Sequence, residues 1–285
     1  MISVRLEGRL GNQLFQYAFI YAASRRLNTA FYLDKSVEKF ILPQYFEVKN
    51  DFLAKLDNKV FSIPGYKNIF SFHTKKFFYH VVGTIIFKGK RITVDNETPA
   101  DEVLTLLKNN HQYIGYFYSE TYFEDFKDEI RTLFKIRKKH ADGFELIINR
   151  LDISKKKAVI HVRRTDYVDL DISLPLTYYK KAIEMINGAD IEYIFISDDP
   201  SFIEKEFSYI ENKYISNHSE IIDLQFLINA DICVLSNSSF SWWGAWLNGN
   251  QNKQVFAPKY WLGFKEGKEF PTGIADNLNL NWIDV

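Results

Sequence analysis

Along the first residues Ile2, Val4 and Leu6 alternate with polar neighbours, the two-residue period of a strand with one buried face. The pattern breaks at Gly8-Arg9-Leu10-Gly11-Asn12 and gives way to a long apolar run over 14–23. This predicts strand, glycine turn and buried helix, with the next strand at 30–33, a βαβ opening of the usual right hand. From Phe40 to Val94 aromatic residues crowd the chain without clear caps or period, and no element is placed there. Residues 113–118 predict a strand, and Tyr122, Phe123, Phe126, Ile130, Leu133 and Phe134 recur at the spacing of an amphipathic helix. Another helical stretch precedes 155–157 and the strongly β-like AVIHV at 158–162, so a domain boundary is expected near residue 150, separating 1–150 from 151–285. Beyond it, strands predicted at 191–196, 213–215, 232–235 and 254–256 alternate with helices at 177–187, 200–207, 220–229 and 239–248. Such alternation implies a mostly parallel sheet with helices on both faces.

Composition narrows the class of protein. With 285 residues, 46% hydrophobic and 25% charged, the chain has the length for two α/β halves and a globular make-up that argues against disorder, collagen-like or coiled-coil forms. Lys plus Arg and Asp plus Glu number 36 each, so no overall field draws the chain to nucleic acid, and any cationic site must be local. The single cysteine, Cys233, excludes an internal disulfide framework and a Cys-rich zinc site, and fits a cytoplasmic protein. Arg5, Glu7 and Arg9 interrupt the opening residues, so no secretion signal is read there. The most apolar later stretch, 77–87, is about half the ~20 residues that span a bilayer. Lys75, Lys76, Lys88, Lys90 and Arg91 flank it. Peripheral contact with a membrane carrying a lipid-linked substrate is one reading of that pattern; a strand or buried helix with solvated ends is the other.

Ligands of open α/β sheets bind at the carboxyl ends of strands, which directs attention to polar residues after each apolar run. In HVRRTDY, residues 161–167, the strand delivers His161, Arg163, Arg164 and Asp166 to its end. Two adjacent arginines lose hydration there unless they meet an anion, and a guanidinium fork matches phosphate oxygens through charge-assisted bonds of about 1.5–3 kcal/mol each. A diphosphate satisfies them; so, on a surface loop, does pairing with Asp166 and other acids. The second place is Ser197-Asp198-Asp199-Pro200, where a carboxylate can accept two N–H bonds from guanine, while helix capping explains one of Asp198 and Asp199. The third, Asn237-Ser238-Ser239, leads into Trp242-Trp243-Gly244-Ala245-Trp246. Its hydroxyls offer donors to a phosphate or ribose, and N-capping by Ser238 or Ser239 explains them equally well. The tryptophans read as core or interface packing before a sugar platform. The fourth is Gly8-Arg9-Leu10-Gly11-Asn12-Gln13, whose glycines permit close approach to a ligand before a helix amino end. It matches neither GxGxxG nor GxxxxGK[ST], so nicotinamide and ATP chemistry find little support.

Asp169 and Asp171 formally fit the acidic pair with which many nucleotide-sugar transferases hold a divalent metal, but two arginines neutralise a diphosphate unaided, so no metal and no cofactor is expected. Six scattered histidines without HxxxH or HExxH, and the lack of a GxSxG elbow, remove support from hydrolase readings.

These segments, in this order, resemble the bacterial alpha-1,2-fucosyltransferase family: GRLGNQLFQYA near the amino end, GYFYSETYF at 115–123, HVRRTDY, FISDDPSF and NSSFSWWGAWL. HVRRTD, the SDDPS region and IIDLQFLINAD also resemble the alpha-1,6-fucosyltransferases, which share the donor. The resemblance implies a GT-B fold: two Rossmann-like α/β domains facing across a cleft, with an acceptor-side domain at 1–150 and a GDP-fucose-binding domain at 151–285. It implies inverting, metal-independent transfer of L-fucose from the co-substrate GDP-fucose to the 2-hydroxyl of a galactose residue. The acceptor partner would be a galactose-terminated oligosaccharide or a lipid-linked glycan. Carried over residue by residue, Arg163 and Arg164 would hold the β-phosphate, and His161 with Asp198 or Asp199 would line the guanosine pocket. Asn237, Ser238 and Ser239 would reach phosphate or ribose, and Gly11, Asn12 and Gln13 would face the cleft from the other side. Asp166, Glu7 and His161 are the candidates for a base on the acceptor hydroxyl. Arg9 departs from the family pattern, which has a second glycine before LGNQ. Use of another GDP-sugar, or carbohydrate binding without catalysis, is the competing reading.

Overall fold

The structure, a computed structural model, describes residues 1–49, 72–87, 89–152, 154–186, 188, 190–211, 213–276 and 278–285, with the side chains of 72–76 outside that description. In the first part of the chain β1 (Ile2–Arg5), β2 (Phe31–Asp34), β3 (Arg91–Thr93) and β4 (Gln112–Ile114) form a sheet in the order β2-β1-β4-β3, every pair parallel. Helix α1 (Leu10–Arg26) between β1 and β2 is buried at nearly every position from Leu10 to Ser24, so it is a core helix without a polar stripe. It begins at Leu10, which puts Gly11 and Asn12 inside its first turn and leaves Gly8, at φ +75, to make the bend alone. A β-carbon at Gly8 would also overlap the Asn12 side chain.

Helices α2 (Leu42–Tyr45), α3 (Phe72–Ile86) and α4 (Ala100–Thr105) follow, and all of the apolar stretch at 77–87 but Phe87 falls on α3. Tyr79, Val82 and Phe87 are buried there while Phe77 and Ile85 are exposed, the pattern of a half-buried helix. No helix among the described residues is long and apolar enough to cross a membrane. Two sequence expectations fail next. The strand over 113–118 stops at Ile114, because Gly115 takes φ +159 and Phe117 φ +59. The single helix over 122–134 is broken into 3₁₀ turns at Glu120–Tyr122 and Glu124–Phe126 before α5 (Lys127–Leu133). Arg26 accounts for the break: it donates to the Tyr122 carbonyl at 2.5 Å and pairs with Asp125 at 2.8 Å, drawing that carbonyl out of a helical ladder.

The second sheet is built by β5 (Lys156–Val162), β6 (Ile191–Ser197), β7 (Lys213–Ile215), β8 (Ile232–Val234), β9 (Gln254–Pro258) and β10 (Asn281–Ile283). Its order is β10-β9-β8-β5-β6-β7, all parallel. Counting from β5 this is the 3-2-1-4-5-6 order of a Rossmann fold. The intervening helices are α6 (Lys138–Ile148), α7 (Thr165–Asp169), α8 (Leu176–Ile186), α9 (Pro200–Glu206), α10 (Glu220–Ile228) and α11 (Ser239–Leu247). The core packs Ile160 of β5 and Phe195 of β6 in one cluster with Tyr178, Tyr179 and Phe207, all within about one percent of full burial. The chain divides into two compact units, Met1–Lys135 with Thr272–Asp276, and Ile136–Pro271 with Asn277–Val285. The boundary lies before the expected residue 150 because α6 packs in the second unit: Phe144 sets its ring edge-on to Phe226 at 5.1 Å, and Gln225 donates to the His140 carbonyl.

Candidate active site

In the Rossmann order the direction of winding reverses between β5 and β8, and the helices that follow these two strands leave to opposite faces, opening a crevice at their carboxyl ends. Two of the sequence motifs meet at that point. Ala158, Val159, Ile160 and Val162 are wholly buried on both faces of β5, so the strand is fixed by packing up to the residue before Arg163. Val162 stands in register with Ser197, which brings the arginines level with Asp198. Asp198 gathers three donors: the Arg164 backbone N–H at 2.8 Å, Arg163 Nη1 at 3.0 Å and the Thr165 hydroxyl at 2.5 Å. Arg163 Nη2 meets Asp166 at 2.6 Å, and its guanidinium carbon lies 5.5 Å from the Tyr167 ring centre. Pairing with acids is thus realised, but in a side chain only 16% exposed rather than on a surface loop. Arg164 turns elsewhere: its guanidinium lies over Phe202 at 4.0 Å, and its Nε is buried without a hydrogen-bond partner.

Across the switch point, His161 Nδ1 and the Ser236 hydroxyl share a hydrogen bond of 2.9 Å. Burial first, and the Arg163 charge second, push the imidazole down to about 3, so the ring is neutral at any ordinary pH. Ser238 caps α11 by accepting from the Phe240 N–H at 3.3 Å, and Ser239 opens that helix. Asn237 donates through Nδ2 to the Ile172 carbonyl at 2.8 Å, while its Oδ1 is buried without a partner. Trp242, Trp243 and Trp246 behind them are core residues in mutual ring contact.

Several expected site residues have structural duties. Asp199 caps α9 by accepting from the Phe202 N–H at 3.1 Å, so capping explains it and the Arg163 pair explains Asp198. Gln13 is buried: it donates to the Gly8 and Lys39 carbonyls and accepts from the Ile41 N–H, tying loop backbone together. Gly11 is buried within α1, and Asn12 accepts from the Tyr118 hydroxyl at 2.9 Å. Asp171 is nearly fully exposed and paired with Lys265, away from Asp169 at the end of α7. Among the described residues no group of three or more His, Cys, Asp or Glu is arranged to hold a metal.

Asp223 was not singled out from the sequence. It sits in the first turn of α10 beyond β7, where it accepts from the Ser216 hydroxyl at 2.5 Å. Burial pushes its carboxyl up to about 6, the Ser216 bond pulling it down and Glu220 adding to the rise. The available signal was a polar residue, Ser216, directly after a short strand. Gln16 was missed as well: its Oε1 accepts from the Glu7 N–H at 3.0 Å and its Nε2 donates to the Gly115 carbonyl at 3.1 Å, fastening the end of β1 to the end of β4.

The chain is similar to curated proteins along most of its length. It is 29% identical over 90% of its residues to the O-antigen biosynthesis glycosyltransferase WbnK of Escherichia coli, covering 93% of that protein. It is 26% identical to an alpha-1,2-colitosyltransferase of Escherichia coli, covering 95% of each chain. It is 23% identical to a galactoside 2-alpha-L-fucosyltransferase of Caenorhabditis elegans, over 90% of this chain and 71% of that one. In fold it is similar to NodZ alpha-1,6-fucosyltransferase in a crystal soaked with GDP-fucose, with a TM-score of 0.52 and 13% identity over 86% of this chain and 92% of the other, a likeness of α/β fold. Residues 92–284 match glycosyl transferase family 11, and with a Rossmann switch point furnished by HVRRTDY and NSS, the chain belongs to that family.

Proposed function

We propose that this glycosyltransferase moves L-fucose from GDP-fucose to the 2-hydroxyl of a galactose residue, with inversion and without a metal ion. The observation that carries the reading is the Arg163–Asp198 pair: a largely buried guanidinium, held by a carboxylate, at the point where open parallel sheets receive nucleotide phosphates. A nucleotide fits the remaining chemistry. Arg164 Nε, a donor suited to a phosphate oxygen, and Asn237 Oδ1, an acceptor suited to a ribose hydroxyl, are buried polar atoms with no partner, and such groups are costly unless a ligand meets them. The acceptor hydroxyl attacks the anomeric carbon as the bond to the β-phosphate oxygen breaks; positive character grows on the sugar ring and negative charge on the departing diphosphate. Arg163 answers the charge that develops in the transition state, which is where stabilisation accelerates the reaction.

A diphosphate needs no general acid to leave, so the proton to be handled is the acceptor's. A neutral imidazole that resists protonation down to about pH 3 is a poor base, so His161 serves as a neutral hydrogen-bonding group toward the nucleoside, leaving Asp166 and Glu7 as the carboxylate candidates. With Asp198 committed to Arg163 and Asp199 to its cap, Asp223 is the carboxyl at this edge of the sheet that suits guanine. A closely related GDP-sugar is the second reading, favoured by the similarity to a colitosyltransferase. The test is incubation of the pure protein with GDP-fucose, GDP-colitose and GDP-mannose against β-galactoside acceptors, with and without EDTA. Transfer from the other sugars but not from GDP-fucose defeats the donor assignment; loss of activity in EDTA defeats the metal-free one.

A further inference from the structure

Beyond β4 the chain carries an arrangement that donor handling does not use. Tyr116 and Tyr118 stack with ring centres 5.2 Å apart and planes 8° from parallel. Phe117 between them is buried on the other side, stacked on Phe19 at 3.7 Å. It holds φ +59, a left-handed conformation that is strained for a bulky residue and persists only where the surroundings over-determine it. Here they do. Buried Gln16 holds the Gly115 carbonyl at 3.1 Å, and a β-carbon at Gly115 would meet the Val94 carbonyl oxygen at 2.8 Å. Tyr118 is seated by the Phe15 ring, edge-on at 5.3 Å, and by its hydrogen bond to Asn12.

Tyr116 is half-buried, Tyr118 covers one face, and among the described residues no second ring packs on it. Glu7, paired with Arg5 at the end of β1, lies near enough for its charge to add to burial in pushing the Tyr116 phenol up, while Arg5 pulls it down. Gln16 joins the Glu7 backbone to Gly115, so carboxylate and ring are positioned by one buried amide.

We infer that Tyr116, backed by Tyr118, is the platform on which the acceptor sugar stacks, with Glu7 beside it to receive a sugar hydroxyl. The inference rests on the acceptor being a galactoside, as in the reading above. A galactopyranose with its axial 4-hydroxyl gathers the hydrogens of C3, C4 and C5 on one face, an apolar patch that suits the negative face of an aromatic ring. The strained Phe117 and the backing ring hold Tyr116 in place before the sugar arrives, so little freedom is lost on binding.

The experiment measures KM for a β-galactoside at saturating GDP-fucose, and KM for GDP-fucose at saturating acceptor, in wild type, Tyr116→Ala, Tyr116→Leu and Tyr116→Trp. Removing the ring raises the acceptor KM on the order of tenfold relative to the donor KM, and tryptophan brings it back within about threefold of wild type. Leucine keeps side-chain bulk without a ring, so it gives the same comparison should alanine fail to fold. Acceptor KM unmoved in a folded ringless variant, or donor KM rising equally, overturns the platform alone. A wild-type protein that transfers to no galactoside overturns the functional reading beneath it.

Discussion

Replacing Arg163 by alanine tests the donor assignment most directly, because the structure separates its cost to the fold from its cost to turnover. The side chain makes two ion pairs, with Asp166 at 2.6 Å and Asp198 at 3.0 Å. Asp166 is 43% exposed, so water screens that pair and it contributes under about 1 kcal/mol. Asp198 is less exposed but keeps the Arg164 N–H and the Thr165 hydroxyl when the guanidinium is gone. The fold should therefore lose only about 1–2 kcal/mol, a Tm decrease of a few degrees. Turnover loses more. Two charge-assisted bonds to the departing diphosphate at about 1.5–3 kcal/mol each, less what is surrendered at Asp166, leave about 2–5 kcal/mol of transition-state stabilisation. The expected fall in kcat/KM is about 30- to 5,000-fold. GDP release at subsaturating GDP-fucose, with circular dichroism and a thermal melt on the same sample, measures both quantities. Arg163→Lys, which restores charge without the fork, should recover only part of the loss. A folded alanine variant that keeps more than a few percent of wild-type kcat/KM would refute the reasoning.

Two further predictions concern protons. Since His161 is held neutral by burial and by Arg163, the pH profile of kcat/KM between about 5 and 8 should contain no limb that His161→Asn removes; finding one would return His161 to the list of bases. Asp223 has a folded value near 6, above its ordinary 3.8, so the folded state binds its proton more tightly and this residue's contribution to stability falls as pH rises from about 4 through 6. A rise from 3.8 to about 6 sets an upper bound of about 3 kcal/mol. Asp223→Asn should gain on wild type in thermal melts between about pH 4.5 and 7.5, and an equal offset at both values would contradict the assignment.

Much of the second unit could be read in advance because buried parallel strands leave continuous apolar runs, and both 158–162 and 191–196 fall within strands that extend them by a residue or two. Strand β10 escaped because Asn281 and Trp282 at the sheet's edge are exposed and give no run. The first unit hid more. Alternation through Tyr116 and Tyr118 looks like continued strand, since hydrophobic period is blind to the positive φ at Phe117 that ends it. Gln13 and Gln16 on an otherwise apolar helix invite a ligand role, yet both satisfy backbone groups. Asp198 and Asp199 are adjacent and chemically identical; only register with β5 decides which caps a helix and which holds an arginine. The irregular region from Phe40 to Val94 lies partly outside the described residues.

All five tryptophans of the chain, Trp242, Trp243, Trp246, Trp261 and Trp282, belong to the second unit, and the first four are almost completely buried. Indole absorption and emission are therefore a natural optical label for that unit alone, without any engineered dye. Trp242 and Trp246 are stacked at 6.2 Å and Trp243 stands edge-on to both, close enough for their excited states to couple. They ride on the helix whose first residue is Ser239, so a nucleotide settling at that helix start would be reported by a chromophore less than two turns away. Denaturation followed at the red edge of excitation would record the loss of the second unit.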